Sequence, residues 1–188
     1  MLVSAIDFVD IMEPQELIKY CPNCKENLVL EKKVRFKCLS CGYIQYISPV
    51  PCNSLIITNK AKEILLVERR NEPRAGFWDL PGGFIDIEEN IETSVIREAK
   101  EEVNLDFSPL DLHYISSNFM RYPYKGINEH LLNISYHAYM PVGQNIKAGD
   151  DAKSAKFFAA KDIPWENIAF TSVAKMIKTY LKSPGLYA

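Results

Sequence analysis

The stretch Pro81-Gly-Gly-Phe-Ile-Asp-Ile-Glu-Glu89-Asn-Ile-Glu-Thr-Ser-Val-Ile-Arg97-Glu98-Ala-Lys-Glu101-Glu102-Val-Asn104-Leu105 constrains this chain more than any other part. It opens on a glycine pair, which permits a tight loop whose backbone can approach a ligand closely. Residues 90–103 then carry helical periodicity, with Ile91, Val95, Ala99 and Val103 spaced by four. At about 100° per residue, Glu98, Glu101 and Glu102 fall within an arc of about 100°, beside the apolar stripe rather than opposite it. Three carboxylates that close repel one another unless a cation joins them. Hard divalent cations such as Mg2+ want oxygen ligands and bind through a few carboxylates plus substrate phosphates. Arg97 is placed to brace the carboxylates through paired hydrogen bonds. An Arg-Glu-x-x-Glu-Glu run taken alone is more often a solvated, glutamate-rich helix face.

The spacing of the whole segment changes that weighing, because it resembles the Nudix box, GX5EX7REUXEEXGU with U aliphatic. Gly83 supplies the first glycine, Glu89 lies six residues on and Arg97 eight after that. Glu98, Glu101 and Glu102 follow in register, Leu105 closes the box, and Trp78-Asp-Leu-Pro-Gly82 is similar to the family's lead-in. Asn104 stands where the box has glycine, and Asn tolerates the left-handed conformation that ends a helix. Ala99 stands at an aliphatic position. The resemblance implies an α/β fold: a Nudix α/β/α sandwich with a mixed sheet over about residues 50–182. It also implies hydrolysis of a nucleoside diphosphate linked to another moiety, by water attack on phosphorus with Mg2+ (or Mn2+). Carried over by motif, Glu98 and Glu102 are the principal metal ligands. Glu101 is a further ligand or water contact, and the Gly82 carbonyl completes the set. Arg97 and Glu89 orient the box. Family members often recruit one more acid before a strand start like Ala155-Lys-Phe-Phe158. Here that acid is Asp151, with its neighbour Asp150 and Glu129 as rivals and a solvated Gly-Asp-Asp turn as the plain alternative.

The second constraint lies upstream. Cys21-Pro-Asn-Cys24 and Cys38-Leu-Ser-Cys41 are two CxxC knuckles separated by thirteen residues, the spacing of a tetrahedral four-cysteine zinc site. Four thiolates leave no open position, so this metal is expected to be structural. The alternatives are two disulfides or unrelated thiols. Gly42 follows the second knuckle where a positive φ eases the turn. Leu28–Phe36 reads as two short strands, giving a small zinc ribbon. The fifth cysteine, Cys52, lies in an apolar run and is expected in the core.

These features divide the chain into an N-terminal extension (1–19, with a short helix at 13–19), a ribbon (20–47) and the larger domain (50–182), joined at Ser48-Pro-Val-Pro51. Within the larger domain, strands are expected at 53–58, 63–67, near 111–119 and 130–140, and at 155–158, with a closing helix at 171–182 stopped by Pro184-Gly185. With 188 residues and 47% apolar composition the chain can bury a core without disulfide staples. Its 22 basic and 24 acidic residues leave a net charge of −2, so no global basic field points to nucleic acid or anionic membranes. The first ten residues lack a basic leader, and no apolar run approaches the roughly 18 residues that span a bilayer. A cytoplasmic location is the default expectation.

A zinc ribbon ahead of a Nudix domain resembles the NADH pyrophosphatases and a set of ADP-ribose-pyrophosphatase-like proteins. The Ser-Gln-Pro-Trp-Pro-Phe-Pro-like array of the former is replaced here by Ser116-Ser-Asn-Phe-Met-Arg-Tyr-Pro-Tyr124-Lys-Gly126. That argues against NADH as the preferred substrate; an ADP-ribose-like substrate is the first expectation, with NADH or a nucleotide-capped RNA end as the alternative. A regulatory binding protein on the same scaffold is the alternative of another class, and the intact carboxylate set counts against it. Phe119, Tyr122 and Tyr124 are candidates to stack on a base, with Arg121 or Lys125 on phosphate. Filling a core or a dimer interface is the competing role. Arg69, Arg70 and Arg74 precede the box, where phosphate contacts and surface ion pairs are equally reasonable. Trp78 is expected to pack beneath the glycine loop. Lys32, Lys33, Arg35 and Lys37 on the ribbon hairpin suit either an RNA end or a solvated edge. His113, His130 and His137 show no metal spacing. A homodimer is implied by the resemblance alone.

Overall fold

The computed structural model of the chain describes residues 12–149 and 151–182. Asp150, most of the N-terminal extension and the Pro184-Gly185 stop lie outside the described residues. The chain divides into two compact units, residues 1–50 with 121–131, and residues 51–120 with 132–188.

The smaller unit begins with a single helical turn, α1 (Pro14–Leu17), followed by three antiparallel strands, β1 (Leu28–Lys32), β2 (Arg35–Cys38) and β3 (Ile44–Tyr46). The two expected ribbon strands are present and β3 joins them, pairing Arg35 with Tyr46 and Lys37 with Ile44. Gly42 sits at φ +76, inside the turn between β2 and β3. Phe36 and Cys38 alternate inward along β2 while Arg35 and Lys37 are half-exposed, the period-two pattern of a strand with one covered face.

The larger unit is built on β4 (Val50–Thr58), β5 (Ile64–Arg69), β6 (Trp78–Asp79), β7 (His113–Tyr124), β8 (Ile127–Tyr139) and β9 (Ala152–Phe158). Their order is β6-β5-β4-β8-β7, with β9 antiparallel to β5. The turn between β7 and β8 and the flanking residues belong to the smaller unit. Residues 55–57 and 64–67 are buried without interruption, because this part of the sheet is covered on both faces. Leu55, Ile57, Leu65 and Val67 pack with Val95, Ala99 and Val103 of α2 (Ile91–Val103). Ile56, Ile64 and Leu66 face Val173, Met176, Ile177 and Tyr180 of α3 (Thr171–Lys182), an i, i+3, i+4, i+7 stripe. The mixed sheet between two helices is the expected α/β/α sandwich. Cys52 is buried, as expected. Trp78 packs edge-on against Phe158, 4.8 Å between ring centres, within the α3-side cluster. Among the described residues no helix is long and apolar enough to cross a membrane.

Candidate active site

Residues 81–85 run alongside β4. Leu55 N–H donates to Pro81 O and Asn53 N–H to Gly83 O, both at 2.8 Å. Gly82 has φ +146, and a Cβ there would collide with the backbone of Asn53 and Ser54. A Cβ on Gly83 would sit 2.5 Å from Glu98 Oε1. Both glycines are therefore needed for the loop to lie flat on β4 and leave room for the Glu98 carboxylate above it. The helix behind the loop is capped at both ends. Asn90 Oδ1 accepts from Thr93 N–H at 3.0 Å, and Asn104 closes the other end at φ 58, ψ 37, its N–H directed to Ala99 and Lys100 carbonyls. Asparagine thus does here what the box's glycine would do.

Helix α2 carries the acids. Arg97 lies between them: Nε and Nη2 donate to the two Glu89 oxygens at 3.0 and 2.9 Å, Nη1 donates to Glu98 Oε1 at 2.8 Å and Glu101 Oε2 at 3.1 Å, and Nη2 also reaches Phe84 O at 3.1 Å. One guanidinium therefore ties the loop and three carboxylates together. Its hydrogen bonds to Glu89 hold Arg97 firmly cationic and hold Glu89 below its usual range. Glu102 differs. It is buried, and its Oε2 accepts a single N–H, from Gly82 at 3.2 Å. Burial pushes the Glu102 carboxyl well above the usual range; the Gly82 N–H opposes this, and the charges of Glu98, Asp79 and Asp151 add to it. Burial also raises Glu98, against the pull of Arg97. Two carboxyls that resist ionisation side by side are what a divalent cation would relieve.

The loop before β9 is bound to the end of α2. Gly149 N–H donates to Glu102 O at 3.0 Å and Lys147 N–H to Val103 O at 3.1 Å. Asp151 follows on this loop, and its charge adds, as the smallest contribution, to the upward pull on Glu98 and Glu102. Its Oδ1 accepts from Asn71 Nδ2 at 2.6 Å. Glu129 lies in the β7–β8 hairpin tip, and Asp150 is outside the described residues. The arginines before the box have partners within the protein. Arg69 pairs with buried Asp79 at 2.9 Å, donates to Pro73 O and lies over the Phe170 ring; Arg70 reaches Ala152 O; Arg74 lies over Phe77. Phe119 is exposed on β7 of the larger unit. Tyr122 and Tyr124 are in the hairpin tip with ring centres 6.3 Å apart and Lys125 Nζ over Tyr124, all within the smaller unit with Arg121. His137 is buried against Thr58 and Tyr180, and His130 faces Glu13 at 2.7 Å.

Sequence reading missed three contributors. Asn53 donates from Nδ2 to Ser94 Oγ at 2.9 Å, and Ser94 in turn accepts from Arg97, so a β4 side chain supports the box arginine. Asn71 is the third. Nothing in one sequence marks these residues, because their partners lie 41 and 80 positions away.

In the smaller unit, the sulfurs of Cys21, Cys24, Cys38 and Cys41 all lie within 4.8 Å of one another. Cys21 and Cys41 Sγ are 3.7 Å apart, Cys24 and Cys38 Sγ 3.5 Å, and all four are free thiols. A tetrahedron with metal–sulfur distances of about 2.3 Å has edges of about 3.8 Å. The four-cysteine set is therefore metal-ready, and the disulfide alternative does not apply.

Comparison with known proteins agrees with this geometry. A family model described as the NUDIX domain matches residues 50–179. An ADP-ribose pyrophosphatase of Methanocaldococcus jannaschii is 36% identical over 140 residues, 74% of this chain and 78% of that protein. The NAD-capped RNA hydrolase NudC of Pseudomonas aeruginosa is 27% identical over 149 residues, 78% of this chain but only 49% of that protein. A solved NUDIX hydrolase from Nitrosomonas europaea shares the fold, with a TM-score of 0.65 at 23% identity, covering 88% of this chain and 91% of its own. The chain belongs to the Nudix family of hydrolases.

Proposed function

We propose that this chain cleaves the pyrophosphate of a nucleoside diphosphate joined to another moiety, with an ADP-ribose-type compound as preferred substrate and Mg2+ or Mn2+ as catalytic metal. The observation that carries the reading is the pair Glu98 and Glu102 at the Gly82–Gly83 loop: Glu102 is buried and accepts from Gly82 N–H at 3.2 Å, and the partly buried Glu98 carboxylate fills the space a Cβ on Gly83 would take. The donor set fits a hard divalent cation: Glu98, Glu102 and Glu101 with the Gly82 carbonyl would hold it, all oxygen. Bound there, such a metal neutralises the pyrophosphate and lowers the pKa of the attacking water. The protein's own part is positional. Arg97 fixes Glu98 and Glu101 against Glu89, and the loop's close seat on β4 keeps bulky side chains away from the carboxylates. Asp151 accepts the proton of the attacking water as the new P–O bond forms and the bridging P–O bond breaks, releasing two monophosphates.

The choice of an ADP-ribose-type substrate is supported by the archaeal relative, whose match covers most of both chains. The likeness to NudC favours NAD-capped RNA as second reading. Zinc is the metal proposed for the four cysteines, as a structural ion, which suits a reducing cytoplasm. The test is a product assay with Mg2+ against ADP-ribose, NADH and NAD-capped RNA, with Glu102→Gln alongside. Conversion of ADP-ribose to AMP and ribose 5-phosphate, lost in the variant, is expected. Cleavage of the cap with ADP-ribose untouched would select the second reading. No turnover of any of the three would reject both.

A further inference from the structure

The acid at 151 is exposed, on a loop, between a residue outside the described set and the first residue of β9. Exposed aspartates on loops sample several rotamers, and an acid that must meet one proton at one place loses rate when its carboxylate wanders. The chain therefore needs something to fix this side chain, and the segment following β5 supplies it.

The β5–β9 register shifts between Glu68 and Arg69, pairing Glu68 with Ser154 but Arg69 with Ala152. Such irregularities re-aim the side chains next to them. Past the shift, three hydrogen bonds tie residues 70–71 to 151–152. Arg70 N–H donates to Asp151 O at 2.8 Å, Arg70 Nη2 to Ala152 O at 2.9 Å and Asn71 Nδ2 to Asp151 Oδ1 at 2.6 Å. The first two fix the backbone at 151–152; only the third touches the carboxylate. The other side of the loop is pinned to α2, where Gly149 N–H bonds Glu102 O and a Cβ at Gly149 would lie 2.5 Å from Glu101 O.

We propose that Asn71 is a positioning residue, holding the Asp151 carboxylate by one oxygen so that the other stays free to take the proton from the attacking water. An amide suits the task. It donates a hydrogen bond without placing a positive charge beside the carboxylate, which a lysine or arginine there would do. Asn71 acts only through Asp151 and needs no contact with substrate. The inference rests on the hydrolase reading above.

The experiment compares wild type, Asn71→Ala, Asp151→Ala and the double variant for kcat and KM on ADP-ribose at saturating Mg2+, with Glu102→Gln as control. A second readout, independent of turnover, is the Asn71 side-chain amide resonance in 1H–15N spectra of metal-free wild type and Asp151→Ala. Asp151→Ala is expected to lower kcat about 100-fold or more. Asn71→Ala is expected to lower it about 10-fold or more, with KM within about twofold, and to add nothing on top of Asp151→Ala. The amide resonance is expected to move when Asp151 is removed. Wild-type kcat in Asn71→Ala or in Asp151→Ala, additive losses in the double variant, or an unmoved resonance each overturns the proposal. If wild type turns over, Glu102→Gln does not, and Asn71→Ala is fully active, only this inference fails. If wild type itself is inert, the hydrolase reading fails and takes the inference with it.

Discussion

The two units are stabilised by opposite means. Among the described residues the smaller unit buries only Cys21, Phe36, Cys38 and Leu131 as apolar side chains, and leaves Val29, Leu30, Val34, Leu39 and Ile44 exposed. The larger unit closes two hydrophobic clusters on the faces of its sheet. A piece as small as the ribbon cannot bury enough apolar surface to offset its chain entropy. Its cysteine sulfurs instead already stand at the edge lengths of a thiolate metal site. The larger unit, with a core on each face of its sheet, keeps Glu102 buried and Glu98 partly so. The metal proposed for each cluster would thus support the fold in one unit and relieve a cost to it in the other.

The largest expected effect follows from that contrast. Structural zinc contributes about 10–16 kcal/mol of apparent binding energy in ribbon-sized peptides. Removing it with a strong chelator, or replacing Cys38 by Ser, is expected to abolish amide-exchange protection across β1 to β3. Trp78 and Trp165, both in the larger unit, should keep their fluorescence. Persistent ribbon protection after complete zinc loss would break the comparison.

Next comes Glu102→Gln. If Glu102 is the metal ligand proposed above, its loss is expected to lower kcat by about 1,000-fold or more, roughly 4 kcal/mol in the barrier. Because burial makes the ionised carboxyl costly to hold, the isosteric amide should leave the thermal midpoint of the metal-free protein unchanged or higher. A lowered midpoint would mean that Glu102 supports the fold after all.

The residue pattern of both clusters was legible because it is local. Four cysteines in two knuckles and a 23-residue box fix their own geometry through turn and helix periods. The left-handed cap at Asn104 was legible for the same reason. Long-range partners were not. The closeness of Asp151 to the glutamates depends on Gly149 bonding across to Glu102, and the support of Arg97 on Asn53 reaching Ser94. Arg69 reads equally as a phosphate contact or an ion pair, and its partner Asp79, ten residues on, is seen only in the structure. The strand-like stretches near 111–119 and 130–140 stop short of residues 120–126, where Pro123 stands. Yet β7 and β8 continue as a hairpin through them, turning at Lys125 and Gly126, both with positive φ. The proline is tolerated because β7 ends the sheet order, and an edge strand has backbone donors to spare.

A core truncation should sharpen the comparison at an intermediate scale. Leu66 is fully buried in the α3-side cluster. Leu66→Ala is expected to cost about 2–5 kcal/mol in urea unfolding followed by tryptophan fluorescence, while zinc content stays stoichiometric. Loss of zinc from the variant would show that the ribbon leans on the larger core.

The smallest expected effect concerns the smaller unit's other fastening. Met12 pairs with Ile127, and Glu13 caps this tie with its carboxylate. Oε1 accepts from Asn128 Nδ2 at 2.9 Å, Oε2 faces His130 Nε2 at 2.7 Å, and Arg121 lies at 3.9 Å. The hydrogen bonds from Asn128 and His130 hold Glu13 below the usual carboxylate range. A carboxyl lowered by folding contributes stability that is complete above its unfolded pKa and disappears as pH falls through the folded value. The tie should therefore be intact at neutral pH and loosen only in the acid range below about 4.5. Glutamine at position 13 can still accept from Asn128 but offers His130 and Arg121 no charge. Glu13→Gln is thus expected to raise exchange of the Asn128 backbone amide, which donates to Met12 O at 2.9 Å, by a few-fold at neutral pH and to flatten its acid dependence. An acid limb unchanged in the variant would mean that strand pairing, not the carboxylate, fastens these residues.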